Sequence, residues 1–255
     1  VYCIDADGGD VRWDYDTGSP SRSSPAVAGR TVFVGNQEGR LVVLDRDSGS
    51  LRWEIRAADE ISAAPTIAGD TVFAGSWDGV LRALSRADGE LSWSHDAEEP
   101  IAAAASFEDG VVYFGSDAEA VTALDAATGE LLWRTETDGR VRCCPALSGR
   151  YVVVGCMDGK VNAIDREDGS LVWAFETDDE ILASPAIAGE VVYAGSKDGA
   201  LYALSLESGE ELWRYATSYA VYSSPATAEQ MIVLGMQYYD VVAFVGQEFK
   251  PGALT

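Results

Sequence analysis

Ala83-Leu84-Ser85-Arg86-Ala87-Asp88-Gly89-Glu90-Leu91-Ser92-Trp93 returns 40 residues later as Ala123-Leu124-Asp125-Ala126-Ala127-Thr128-Gly129-Glu130-Leu131-Leu132-Trp133. The same step runs along the chain. Trp13, Trp53, Trp93, Trp133, Trp173 and Trp213 stand 40 apart, as do Gly35, Gly75, Gly115, Gly155, Gly195 and Gly235. Pro25, Pro65, Pro145, Pro185 and Pro225 keep it too, with Ala105 in the vacant place. A fixed period of this length marks one supersecondary unit stacked on copies of itself.

Each unit reads as four short strands. In the second, an inner strand ends Ala63-Ala64-Pro65-Thr66-Ile67, and Thr71–Gly75, Val80–Leu84 and Leu91–Ser94 follow. The intervening turns are Ala68-Gly69-Asp70, Trp77-Asp78-Gly79 and Arg86-Ala87-Asp88-Gly89. Asp-Gly and Ala-Gly turns between β-branched and aromatic runs are hairpin chemistry, and no stretch shows helical periodicity. Small pairs precede the proline: Ser23-Ser24, Ala63-Ala64, Ala103-Ala104, Cys143-Cys144, Ala183-Ser184 and Ser223-Ser224. Small side chains inside and an indole outside suit wedge-shaped units around an axis, with only short edges left unpaired.

The expected fold is all-β, a β-propeller of six four-stranded blades in one domain spanning 1–255. Five blades cover 21–56, 61–96, 101–136, 141–176 and 181–216. A closing blade combines 1–16 with 221–245, and 246–255 form a tail. The third strand occurs at both Val1–Ile4 and Val241–Phe244. The N-terminal copy is preferred for the closing blade, because the short Asp5–Asp10 turn ties it to Trp13. A fragment of a longer eight-bladed chain is the alternative.

Ala123 to Trp133 resembles the tryptophan-docking motif, A-x-D-x-x-T-G-x-x-x-W, of pyrroloquinoline-quinone-type propeller repeats. Looser copies run from Cys3 to Trp13, Val43 to Trp53, Ala83 to Trp93, Ala163 to Trp173 and Ala203 to Trp213. Gly8, Ser48, Asp88, Asp168 and Ser208 replace the threonine, and Ser85 and Ser205 the aspartate. The resemblance implies a structural role for Trp13, Trp53, Trp93, Trp133, Trp173 and Trp213, each wedged between blades near the motif glycine. It spans quinoprotein alcohol dehydrogenases, BamB-like outer-membrane assembly scaffolds and sensor propellers. An extracytoplasmic or cell-surface location is expected on this resemblance alone.

Charge narrows the partners. The chain carries 42 acidic against 18 basic residues, a net charge of −24, and only Lys160, Lys197 and Lys250 are lysines. Such a surface repels nucleic-acid phosphate and anionic lipid, so no nucleic acid is expected as a partner. No apolar run reaches the roughly 20 residues that cross a bilayer, so no membrane insertion is expected. No basic-then-apolar leader opens the sequence. The acids are spread over every unit, with arginine favoured over lysine, which reads as adaptation to a salt-rich medium where self-repulsion is screened.

Catalytic parts are scarce. A quinoprotein dehydrogenase would need calcium, an aspartate base and long insertions around the quinone. The units carry no insertions, and Asn36 and Asn162 are the only asparagines. Pyrroloquinoline quinone is therefore not expected, and no cofactor is assigned. His95 is the single histidine, follows the tryptophan strand, and is expected at the surface. Histidine-centred metal sites and Ser-His-Asp catalysis lack their parts. Cys143-Cys144 echo the adjacent cysteines of the enzymes, yet occupy the small-residue place. Cys156 lies across the hairpin from Cys143 within a residue, so a disulfide or a soft-metal pocket of Cys143, Cys144 and Cys156 is conceivable. Cys3 reads as core.

What remains is binding. Outer-to-inner connections and second-to-third turns share one face, which collects Asp59-Glu60, Glu98-Glu99, Asp138, Asp178-Asp179-Glu180 and Trp77. Tyr219, Tyr222, Tyr238 and Tyr239 join them in the last unit, and Ser116-Asp117-Ala118-Glu119 lacks the usual turn glycine. Glu60, Glu99, Asp179 and Glu180 are the weak candidates for a cation such as calcium, with Arg22, Arg140 and Arg142 set to neutralise them. Trp77 and the four tyrosines form the candidate partner face. The expected function is a monomeric, non-catalytic scaffold for a protein or peptide partner. The alternatives are a quinoprotein dehydrogenase or degenerate relative, and a glycan-binding or sensor module.

Overall fold

The computed structural model describes residues 1–217, 219–228, 231–235 and 241–245; for Ala228 and 241–245 only the backbone is considered. Among the described residues every regular element is a β-strand. Five sheets have four antiparallel strands in sequence order. In the second, Thr66–Ala68, Thr71–Gly75, Val80–Ser85 and Leu91–Asp96 pair with neighbours joined by tight turns. Strands of three residues inside and six outside give each sheet its taper.

The inner strand is shorter than its sequence suggests. It begins after Pro65, and Ala63-Ala64 lie in the extended segment leading to it. Proline has no N–H for the ladder, so pairing starts one residue later. The first member of the small pair is still packed away, as Ser23, Ala63, Cys143 and Ala183 show. In the first, second, fourth and fifth four-stranded sheets the outer strand carries a bulge beside its tryptophan, between Leu91 and Trp93 in the second.

The periodic glycine ending the second strand has a steric cause. A Cβ on Gly35 would lie 2.3 Å from the carbonyl oxygen of Ile61, and one on Gly75 would lie 2.5 Å from Ile101 Cγ2. Ile61 and Ile101 belong to the next unit and are buried there. The glycines therefore let the following unit's entry segment lie directly on the sheet.

The chain divides into two compact units, Val1–Val112 with Leu124–Glu130, and Tyr113–Ala123 with Leu131–Thr255. In the first, Phe33, Leu41, Val43 and Trp53 pack against Val72, Ala74 and Leu84 of the adjacent sheet. In the second, Val153, Val161, Ala163 and Trp173 do the same with Ile181, Val192, Ala194 and Leu204.

Two partial sheets hold the terminal strands. Tyr2–Ile4 pairs with Val11–Asp14, and Ala226–Ala228, Met231–Gly235 and Val241–Val245 form a three-stranded sheet. The preference for the N-terminal copy as third strand of the last blade is thus corrected. Val241–Val245 takes that place, Val233 pairing with Ala243 and Gly235 with Val241. A strand five residues away closes a cheaper loop than one at the other end of the chain.

Candidate functional site

Where a third strand ends in aspartate, the turn after it is built around that side chain. Asp125 Oδ1 accepts from the backbone N–H of Ala127 and Thr128 and from the Thr128 hydroxyl. Asp45 does the same with Asp47 and Ser48, and Arg52 binds its other oxygen at 2.6 Å. The Asp125 carboxyl is lowered by its Thr128 donors, and Asp45 is lowered first by Arg52. Asp5 is lowered to about 2, chiefly by its hydrogen bond from Arg12. The motif glycine closes the turn with positive φ, +71° at Gly49 and +79° at Gly89.

On that turn sits the tryptophan of the preceding unit. Indole Nε1 of Trp13, Trp53, Trp93, Trp133 and Trp173 donates to the carbonyls of Arg46, Arg86, Ala126, Arg166 and Leu206, at 2.8–3.1 Å. A Cβ on Gly89 would come 2.6 Å from Trp53 Cε3, and one on Gly209 as close to Trp173. Trp213 is half-buried, its ring 5.9 Å from that of Tyr193.

At the opposite ends of the strands, each outer-to-inner connection is clasped by two turns. Ala57 N–H donates to the Gly39 carbonyl and Ile61 N–H to that of Asn36, while Trp77 N–H donates to Glu60 O at 2.8 Å. Met157 with Arg140 and Lys197 with Glu180 repeat the last bond. In each sheet the incoming connection and the second-to-third turn thus lie together at one end.

Many acids there hold internal cations. Lys197 Nζ lies 2.8 Å from Glu180, Lys160 Nζ 2.5 Å from Asp138, and Arg142 binds Asp117 with two hydrogen bonds of 2.5 and 2.7 Å. Each cation is raised above its ordinary pKa, first by that hydrogen bond. Burial alone would raise Asp78, but Arg82 and the N–H groups of Ala58 and Val80 turn the net shift downward. Among the described residues no group of three or more histidine, cysteine or acidic side chains is placed to hold a metal. Of the four candidate acids, Glu180 takes a lysine, and Asp179 accepts the N–H of Glu180.

The aromatic candidates separate. Tyr219 and Tyr222 are 43% and 48% exposed, and Tyr238 and Tyr239 lie outside the described residues. Trp77 is half-buried rather than exposed, because its Nε1 donates to Ser62 Oγ at 2.7 Å. His95 is a correction too: it lies on the outer strand Leu91–Asp96, opposite Leu81, half-buried and lowered by desolvation.

All four cysteines are free thiols. Cys143 faces Gly155 rather than Cys156, its Sγ accepting from Gly155 N–H at 3.2 Å. Cys156 Sγ accepts from Asn162 instead. Burial raises both thiols, Cys156 to about 12, which disfavours the thiolate a soft metal needs. Cys144 is half-buried and its backbone N–H donates to Ser184 Oγ. One feature went unforeseen: an open cleft of about 810 Å³ in the first unit, lined by Val1, Tyr2, Asp14, Tyr15, Pro20 and Val34 among others. Its signal was the departure of the terminal strands from the full repeat.

Tapered antiparallel sheets repeated every 40 residues, five of them seating the indole of the preceding unit on a glycine turn, define a β-propeller. The chain belongs to the family described as Outer membrane protein assembly factor BamB, whose model matches residues 1–106, 101–224 and 157–248. Among solved structures it is similar to the computationally designed Ika8 protein, at 20% identity and a TM-score of 0.83, over 93% of this chain and 74% of that one. It is also similar to BamB from Moraxella catarrhalis, at 19% identity and a TM-score of 0.63, over 95% and 88% of the two chains. At these identities the likeness is one of fold. No curated protein matches the chain.

Proposed function

We propose that this chain is a non-catalytic scaffold that receives a protein or peptide partner on the end built from its outer-to-inner connections and second-to-third turns. A BamB-like repeat propeller is a protein-interaction scaffold at the level of the family. The observation that carries the reading is how the polar groups at that end are used. Asp117, Asp138 and Glu180 are tied to Arg142, Lys160 and Lys197, and backbone donors are spent on the turns. Tyr219 and Tyr222 add two rings there with nearly half their surface exposed, and aromatic side chains of that kind are enriched where protein interfaces bind most tightly. The indoles Trp13, Trp53, Trp93, Trp133, Trp173 and Trp213 serve the scaffold, not the partner.

The remaining acids are read as adaptation to a salt-rich medium, and the protein as a monomer in an extracytoplasmic or cell-surface setting. The test is affinity capture from the native host at native salt, comparing the intact chain with a Tyr219→Ser/Tyr222→Ser variant. A specific partner that the variant releases is the expected result. Equal capture by both would overturn the assignment of this end.

A further inference from the structure

We infer that Asp109 is a covalent modification site, where the chain isomerises to a β-linked isoaspartate through a succinimide with Gly110, independently of any partner. Asp-Gly occurs eight times in the sequence. The chemistry is the same at each: the glycine backbone nitrogen loses its proton and attacks the aspartate Cγ, and one water leaves. Hydrolysis of the ring returns one water at either carbonyl, and one of the two outcomes routes the backbone through Cβ. A nitrogen whose N–H is held in a turn must give up that bond before it can reach the side chain. The fold therefore decides which copies react.

Six of the eight are held in this way. Gly79, Gly89, Gly159, Gly169 and Gly199 donate to backbone carbonyls at 2.8–3.3 Å, and Gly8 donates to Asp5 Oδ1 at 3.1 Å. At the seventh, Asp138 has its carboxylate 2.5 Å from Lys160 Nζ, and a Cβ on Gly139 would lie 2.5 Å from Asp158 N, so neither group has room to turn. Asp109 is the eighth. It stands in the two-residue turn between Ser106–Glu108 and Val111–Ser116, and both turn residues are exposed. In the other four complete sheets a glycine comes first in that turn, with φ of +55 to +60° at Gly29, Gly69, Gly149 and Gly189. Here Asp109 takes that place at +49° and Gly110 follows at +81°, the two positive φ values of a type I′ turn. Gly110 N–H makes no hydrogen bond among the described residues, and a Cβ on Gly110 would meet nothing within 4 Å, so the ring has space to form. The product carries an extra methylene in the backbone of a turn that fits two residues. It displaces the join between the strands, and with it the Gly110 carbonyl that accepts Ala126 N–H at 2.9 Å.

The experiment ages the intact folded protein at constant salt and maps isoaspartate by digestion and fragmentation mass spectrometry, beside the same chain held in urea. All eight sites should react at similar rates in urea, where no turn persists. In the folded chain isoaspartate is expected at Asp109 at least about tenfold above every other site, the factor that a local opening of about 1.4 kcal/mol imposes. Asp109→Asn, whose leaving group is ammonia, should age faster at the same place. Glu108→Ala/Asp109→Gly/Gly110→Glu copies the turn Ala188-Gly189-Glu190, so it should fold and stay unmodified there. A folded chain without isoaspartate at Asp109, or with as much at a hydrogen-bonded site such as Asp88, would overturn the assignment.

Discussion

Trp53 and Gly89 meet across adjacent units, and their contact can be cut from either side. Trp53 is 9% exposed and donates to the Arg86 carbonyl at 3.1 Å. Trp53→Ala removes this bond and most of a buried indole, at a cost of about 4 kcal/mol. Gly89→Ala carries two penalties. At φ +79° an alanine costs about 1 kcal/mol for the left-handed backbone. Its Cβ would also stand 2.6 Å from Trp53 Cε3, and such overpacking adds about 2 kcal/mol. Once Trp53 is alanine the collision is gone and only the backbone penalty remains. The double mutant should therefore be about 2 kcal/mol more stable than the two single losses add up to. Urea melts at constant salt, followed by circular dichroism, give the four free energies of the cycle. Gly129→Ala is the internal control, because Gly129 faces Trp93 and its penalty should add to that of Trp53→Ala. Additivity of Trp53 and Gly89 within about 0.5 kcal/mol would refute the claim that the glycine exists to seat the indole.

Three further outcomes are expected. Glu119 stands at a turn-glycine place with φ +54°, so Glu119→Gly should stabilise the chain by about 1 kcal/mol, a rise of about 3 °C in Tm by calorimetry. Asp5, Asp45 and Asp125 have folded pKa values below the ordinary 3.8, so their contribution is present above that value. It is lost as the pH falls from about 4 towards 2; acid titration of Asp125→Asn should show a shallower decline over that window than the parent does. Cys143 and Cys156, raised by burial, should resist a thiol reagent while the fold persists, and four thiols should titrate in the denatured, unreduced chain.

The period and the four-strand unit were legible, because each rests on local chemistry: turn glycines, alternating apolar residues, an indole at a fixed place. The reasons behind the period were not. Gly75 is glycine because of Ile101, 26 residues on, and Gly89 because of Trp53, 36 residues back. Both partners lie in a neighbouring unit, so neither cause shows inside one repeat. The early start assigned to the inner strand failed because Pro65 cannot donate to its neighbour. Trp77 was expected to be exposed because its anchor, Ser62, is reached only through the fold. The acids at the connections looked like a cation site by composition, but pairing with Lys160, Lys197 and Arg142 depends on register, not on count.

A repeat protein supplies its own controls, since each copy states what the scaffold needs at a position. Departures from the repeat then fall into two kinds. Cys143 stands where other copies have serine or alanine; it is buried and bonded to Gly155 as a small residue would be, so the scaffold absorbs it. Glu119 departs as well, yet its backbone keeps the conformation the glycine would have had, and the cost is local strain. Glu60 is of the other kind: its own residue type matches Glu180, and the change lies across the turn, where Trp77 stands in the place of Lys197 and donates to Ser62 Oγ instead of to a carboxylate. The copy absorbs that change with a new bond of its own, as it absorbs the thiol at Cys143 by burial.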